Sequence, residues 1–153
     1  MTTNREAIYK ALFALVTPLG ARQGGTFKTV TREVEEVTRV DPGAQPVLMQ
    51  DEVTEATNDE GENLPPRIWT VVFHIGVTST KGTAGQSLLN PLIDAVEAAL
   101  APGVGDEKQT LGGLVEHVQI KGTAVKIHGN NSTRPDARQA ICYFPVEIVL
   151  ASF

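Results

Sequence analysis

The sequence predicts a single α+β domain over residues 1–153, with a mixed, mostly antiparallel sheet and two α-helices packed on one of its faces. A length of 153 residues suits one domain of ordinary size. Two segments carry apolar residues at helical spacing, and most of the others show β-branched or alternating patterns typical of strands. The predicted order, α-β-β-β-α-β-β-β, lacks the regular strand–helix alternation of a doubly wound parallel sheet.

The first predicted helix covers residues 5–16. Thr3 or Asn4 can cap its start, and Pro18 and Gly20 end it. Its apolar stripe consists of Ala7, Ile8, Ala11, Leu12, Leu15 and Val16.

Two short strands are predicted next, at residues 26–32 and 46–53, because both segments are rich in residues that favour strands. The turn at residues 41–43 precedes the second of them. Residues 33–40 fit two structures: their valines recur at helical spacing, whereas their Val and Thr content favours a strand.

Residues 68–78 give the strongest strand pattern in the chain. One face of this strand is wholly apolar, and the other is mixed rather than clearly solvated. We therefore expect a neighbouring subunit to cover part of the second face. The apolar face comprises Trp69, Val71, Phe73, Ile75 and Val77.

A second amphipathic helix is predicted over residues 87–101. Pro91 is expected in or near its first turn, where a missing N–H costs little. Pro102 and Gly103 are expected to end it.

Three further strands are predicted at residues 114–121, 123–128 and 139–150. Gly122 is expected to mark a bulge or tight bend between the first two. Pro145 cannot donate a ladder hydrogen bond, so it predicts a sheet edge or a bulge in the last strand.

Composition excludes several classes of protein. The net charge of −5 argues against a protein that coats nucleic acid, and the aromatic content of 5% argues against a stacking platform. Cys142 is the sole cysteine, which rules out an intrachain disulfide framework and a cysteine-based zinc site. No apolar run is long enough to span a membrane, and we expect a cytoplasmic protein.

Catalytic and metal-binding patterns are also missing from the sequence. The histidines lack the spacing of a zinc helix, so we interpret them as surface or half-buried residues. The acidic segment 51–62 does not match a calcium loop, and segment 81–87 places its lysine wrongly for a phosphate loop. Cys142 lies in an apolar strand, where a thiol would be inert. We expect no enzymatic activity, no cofactor and no metal.

Charge is segregated along the chain. Residues 51–62 carry six acids and no base, and residues 121–138 carry four bases against one acid. Both segments are open to an interpretation as solvated loops. The alternative is electrostatic complementarity between neighbouring subunits of a ring. The candidate interface residues are Asp51, Glu52, Glu55, Asp59, Glu60, Glu62, Lys121, Lys126, Arg134 and Arg138.

The order and spacing of these segments resemble a family, the tail terminator (tail completion, or minor tail) proteins of long-tailed bacteriophages. The resemblance covers nearly the whole chain and rests on packing and turn patterns in sequence. The segments that carry it are residues 5–16, 27–32, 45–49, 88–100, 110–118 and 145–150.

The resemblance implies a structural virion protein with no catalytic role and no cofactor. Such a protein assembles as a hexameric ring on the head-proximal end of the tail tube, stops tube polymerisation and presents the surface that joins the head. Its implied partners are further copies of itself, the tail tube protein and the head–tail connector protein. DNA would only pass through the lumen, and no membrane would be involved.

Two alternatives stay open. The chain could be a head-side adaptor or stopper protein of the head–tail junction. It could also be a small-ligand-binding α+β domain, which the sequence favours less.

Overall fold

In the described parts of the chain, two α-helices lie on one face of a six-stranded, mostly antiparallel sheet, which confirms the predicted α+β class. The computed structural model describes residues 4–55, 67–79, 85–121, 124–132 and 138–150. The helices are α1 (Arg5–Val16) and α2 (Gly85–Leu100). The strands are β1 (Thr29–Thr31), β2 (Val47–Glu55), β3 (Ile68–Thr78), β4 (His117–Ile120), β5 (Val125–Asn130) and β6 (Arg138–Val149).

The sheet has the order β1-β2-β3-β6, and the far side of β6 is shared by two strands. β5 pairs with the first half of β6, and β4 pairs with the second half. All pairings are antiparallel except β1 with β2. The two longest strands, β3 and β6, therefore form the centre of the sheet.

Helix α1 has the bounds that the sequence predicts, because its cap and its stripe are both local signals. The Asn4 side chain accepts a hydrogen bond from the Ala7 N–H at 3.0 Å, which confirms Asn4 as the cap. The other candidate, Thr3, lies outside the described residues. The apolar stripe packs Leu12 and Val16 fully into the core.

Helix α2 begins at Gly85, two residues earlier than predicted. Pro91 consequently lies inside the helix rather than in its first turn, so that expectation was wrong. The proline ring sits on the exposed side of the helix, away from the buried stripe. That stripe consists of Leu89, Leu92, Ile93, Val96 and Leu100.

The predicted alternation of β3 is confirmed, because every second side chain from Trp69 to Val77 is buried against the helices. The matching side chains of β6 run from Ala140 to Ile148 and belong to the same core. Burying this continuous apolar layer is the main source of stability in such a domain.

A second, smaller core covers one end of the opposite face of the sheet. Residues 33–40 form neither of the structures that the sequence left open; they contain a single 3-10 turn, Val37–Arg39. Val37 and Val40 pack on Met49 and Ile141. Glycine is required beneath this turn, since a Cβ on Gly76 would overlap Val37 Cγ1.

Buried amides fix this cover in place. Gln45 donates to the Val40 carbonyl at 3.1 Å and to Gln139 Oε1 at 3.0 Å. Asn131 donates to the same two acceptors, and Thr78 donates to Gln45. The network links the 3-10 segment to β3 and β6, so it holds that segment in a fixed position on the sheet.

Pro145 lies in a central strand whose register with β3 is unbroken, so the expected sheet edge or bulge was wrong. The proline falls at the break between β5 and β4, opposite no residue of either strand. Its carbonyl accepts from the Lys121 N–H on that side, and in an extended strand the N and the C=O of one residue point the same way. The missing N–H therefore costs no hydrogen bond to β3.

The other strand boundaries differ from the predictions by a few residues. The strand predicted at 26–32 shortens to Thr29–Thr31, and the strand predicted at 114–121 shortens to His117–Ile120. The strand predicted at 46–53 continues to Glu55, so the first five residues of the acidic segment belong to β2 and not to a loop. Gly122 lies outside the described residues.

Substituting Gly76 should destabilise the protein by about 1–3 kcal/mol, the usual cost of overpacking a core. The new methyl group of Gly76→Ala would push Val37, which is β-branched and buried, off the sheet. Urea unfolding of the variant and the parent measures the difference.

Gly129→Ala is the matched control, because Gly129 also lies in a strand but a Cβ there meets nothing within 4 Å. It should leave the unfolding midpoint unchanged or raise it slightly. Equal effects of the two substitutions would contradict the packing described for Val37.

Candidate assembly surface

The structure separates the acidic and basic candidate residues within one chain. Asp51, Glu52 and Glu55 lie on β2, whereas Lys126 and Arg138 lie on β5 and at the start of β6. Strands β3 and β6 stand between β2 and β5, so the two groups occupy opposite sides of the sheet. Asp59, Glu60, Glu62 and Arg134 lie outside the described residues.

Each described acid of β2 already has a partner within the chain. Glu55 accepts from Arg5 Nε and from the Tyr9 hydroxyl, both at 2.7 Å. Glu52 accepts from the Arg32 guanidinium, and Asp51 Oδ2 lies 3.2 Å from His74 Nε2. Glu55 and Glu52 therefore join α1 and the end of β1 to the outer half of β2, whereas Asp51 joins β2 to β3.

Arg32 links three elements at this corner. Its guanidinium also donates to Glu6 of α1 at 2.7 Å, so one side chain bridges α1 and β2 from the end of β1. The hydrogen bonds that Arg32 donates to the two carboxylates raise its pKa, and Arg32 in turn lowers the pKa of Glu6.

Tyr9 and Trp69 pack beneath the ion pairs of the same corner, on the core side. The two rings stack with centroids 5.3 Å apart, and the Arg5 guanidinium lies 5.7 Å from the Trp69 ring centroid. Burial and the hydrogen bond to Glu55 raise the pKa of Tyr9. Burial also raises the pKa of Glu55, but the hydrogen bonds from Arg5 and Tyr9 outweigh it and the net pKa is lowered.

The basic residues are held more loosely. Lys126 Nζ donates to Asn90 Oδ1 of α2 at 3.0 Å, and Lys121 Nζ lies 3.5 Å from Glu147 Oε1. Arg138 is exposed at the start of β6. These cations remain accessible to a partner from outside the chain.

The sheet face opposite the helices is only partly covered. At the end away from the 3-10 segment, Val72 and Pro145 are partly exposed, and Tyr143, which packs against the margin of the second core, is partly exposed beside them. At its margin, Val125 and Ile127 of β5 are 49% and 43% exposed. Within the described ranges, no α-helix packs on this face and the 3-10 segment covers only one end of it, so an apolar strip of strand surface faces outward.

One polar contact interrupts this strip. The His74 ring meets the edge of the Tyr143 ring, with centroids 5.0 Å apart, while its Nε2 faces Asp51. The His74 side chain is 17% exposed, which confirms it as half-buried. Burial lowers the pKa of His74, and the Asp51 carboxylate offsets only part of that effect.

Cys142 is fully buried on the helix side of β6, as predicted for an inert thiol. Burial raises the pKa of Cys142, which disfavours the reactive thiolate. In the described parts of the chain, no cluster of three or more His, Cys, Asp or Glu side chains is placed to hold a metal ion.

Sequence reasoning missed the corner formed by Arg5, Glu6, Tyr9 and Arg32. These residues follow no motif, and they meet β2 only because the chain returns over distances of 20 to 50 residues. The exposed pair Val125 and Ile127 had a usable signal, since both alternate with the polar residues of β5.

Comparisons with known proteins give no relative. The chain matches no protein-family model, and no curated protein matches it. None of the described helices is both long and apolar enough to cross a membrane.

The burial of His74 predicts a specific loss of stability in mild acid. Folding lowers the pKa of His74, so the unfolded chain binds this proton more readily than the folded one. The contribution of the neutral His74 to the free energy of unfolding is therefore complete above about pH 6.5 and is lost as the pH falls. Chemical unfolding between pH 7.5 and 5 should show a falling midpoint in the parent, and a shallower fall in His74→Gln.

His128→Gln is the control, because His128 is an exposed histidine of strand β5. This variant should keep the pH dependence of the parent. The account of the His74 site would be wrong if His74→Gln and the parent lost stability in parallel.

Proposed function

We propose that this chain is a tail terminator protein, which caps the head-proximal end of a phage tail tube as a ring. The observation that carries the proposal is the uncovered end of the second sheet face, where Val72 and Pro145 are partly exposed and Val125 of β5 is 49% exposed. Contiguous exposed apolar surface typically marks a protein–protein contact. The segment order that resembles the terminator family supports the same function.

A terminator must offer unlike surfaces on its different sides. A growing tube repeats one interface, and the ring that stops it must match that interface on one side only. The chain is asymmetric in this way: helices cover one face of its sheet, and part of the other face is open. The two sides of the sheet also differ, with acids on β2 and cations on and beside β5.

Ring formation requires a head-to-tail contact between two different surfaces of the same chain. The separation of β2 from β5 supplies such a pair of surfaces. No cofactor is needed for this role, and the net charge of −5 suits a lumen that lets DNA pass without binding its phosphates. The proposed partners are further copies of the chain, the tail tube protein and the head–tail connector protein.

Adding the purified chain to polymerising tail tube protein tests the function. A terminator should form a ring visible by negative-stain microscopy at one end of each tube and should shorten the tubes. If the chain occurs on purified heads and is absent from headless tails, it is a head-side adaptor or stopper. If it stays monomeric at high concentration and leaves tube length unchanged, the proposal is wrong, and the ligand-binding alternative gains weight.

Placing a charge on the uncovered face should prevent ring assembly. Val125→Glu would put a carboxylate into the proposed contact, while its effect on folding should be small because Val125 is 49% exposed. Light scattering should show that the variant remains unassembled where the parent forms rings.

Ala98→Glu is the matched control, because Ala98 is exposed on the outer side of α2 and receives the same charge. Circular dichroism should show that both variants are folded. Rings formed equally well by Val125→Glu and the parent would exclude this face from the contact.

A further inference from the structure

Strand β5 presents an open backbone edge. Its pairing with β6 joins Val125 to Tyr143 and Ile127 to Ile141. The odd-numbered residues of β6 direct their backbone groups toward β5 and β4, as the Pro145 carbonyl shows by accepting from Lys121. Val125 and Ile127 therefore bond to β6, and the intervening residues direct their N–H and C=O groups outward.

The outward groups belong to Lys126, His128 and Asn130. In the described parts of the chain, no backbone group pairs with them. Proteins usually protect such an edge with a proline, a bulge, a covering segment or charged side chains, above all lysine. The register of β5 is regular and the strand contains no proline, but it carries Lys126. That charge disfavours a basic partner edge and suits an acidic one.

The outer half of β2 is a second open edge. Strand β1 pairs with β2 only as far as Met49, which faces Thr31. The Pro46 carbonyl accepts a hydrogen bond from the Lys28 N–H of the segment that leads into β1. The even-numbered residues of β2 therefore direct their backbone N–H and C=O groups away from β3, as far as the irregularity after Glu52. The backbone of Glu52 thus points away from β3 and beyond the end of β1.

Charge decides which edge can receive β5. Lys126 and His128 lie on β5, with Arg138 beside them, whereas Lys28 and Arg32 flank β1. Pairing β5 with β1, or with a second β5, would therefore bring like charges together. The corner around the outer half of β2 keeps a formal charge of −1, since its four acids face two arginines and Lys10, whose charge acts on Glu6. The acids are Glu6, Asp51, Glu52 and Glu55, and the arginines are Arg5 and Arg32.

We propose that β5 of one copy adds in antiparallel fashion to the outer half of β2 (residues 50–55) of the next copy, so that one sheet continues from chain to chain. This inference rests on the proposed ring and specifies its contact. The direction follows from the fold: β2 and β6 are both antiparallel to β3, and β5 is antiparallel to β6, so β5 and β2 run oppositely. Copies related by rotation about an axis along the strands preserve that relation.

The positions of the two edges suit a closed ring. β5 lies beside the first half of β6, and the open part of β2 lies beside the first half of β3, which runs the other way. The edges are therefore offset along the strand direction. A sheet that closes on itself needs tilted strands and such an offset.

Cross-linking of engineered cysteines tests the contact. One chain carries Ile127→Cys and a second carries Val53→Cys; both positions are exposed, at 43% and 50%. A short bis-maleimide should link the two chains only when they are mixed and assembled. The unmodified chain should give no link, because its Cys142 is buried.

The other outcomes contradict the inference in distinguishable ways. If rings form but the mixture gives no link, the strand contact is wrong and the proposed function stands. If Ile127→Cys links to itself, β5 pairs with β5 and the head-to-tail contact is wrong. If the parent forms no ring with or without tubes, the proposed function fails together with the inference.

A backbone variant provides an independent test. His128→Pro removes an outward N–H and leaves the β5–β6 hydrogen bonds intact, so the chain should fold but assemble at least about tenfold more weakly, as expected for one lost intermolecular hydrogen bond together with a distorted edge. Folding is checked by circular dichroism and assembly by light scattering. Assembly equal to that of the parent would overturn the strand contact.

Discussion

The antiparallel pairing of β3 with β6 is the constraint on which the rest of the structure depends. The register joins Trp69 to Ile148 and Phe73 to Phe144, so the apolar side chains of both strands face the helices together. A slip of one residue in either strand would turn its apolar set to the opposite face. The register thus fixes where α1 and α2 pack and which surface remains for other contacts.

The uneven cover of the second face follows from this arrangement. Because both described helices lie on one side, the cover that the structure describes on the other side is the 3-10 segment with Val37, and it reaches one end of the sheet. Ion pairs secure the corner at β2, while β5 is attached to the sheet through β6 alone. The same chain therefore has an acidic edge at β2 that is held by ion pairs and a basic edge at β5 whose outer backbone groups are exposed. Head-to-tail assembly requires two such unlike surfaces.

Local signals made much of the fold predictable, whereas long-range pairing did not. The stripe and cap of α1 and the alternation of β3 can be read from adjacent residues, and both predictions are confirmed. The central place of β6 could not be read, because Pro145 is acceptable there only through the gap between β4 and β5. The sequence also indicated the acids of β2 as a candidate surface but not their internal partners, because Arg5 and Arg32 meet them only in the folded chain.

Residue-resolved hydrogen exchange tests the central claim most directly, which is that the open side at β5 is an assembly surface. In the unassembled chain, the amides of Lys126 and His128 should exchange much faster than those of Val125 and Ile127, which bond to β6. On ring formation the two outward amides should become protected to a similar degree. Rings in which Lys126 and His128 still exchange at the rate of the free chain would contradict the account.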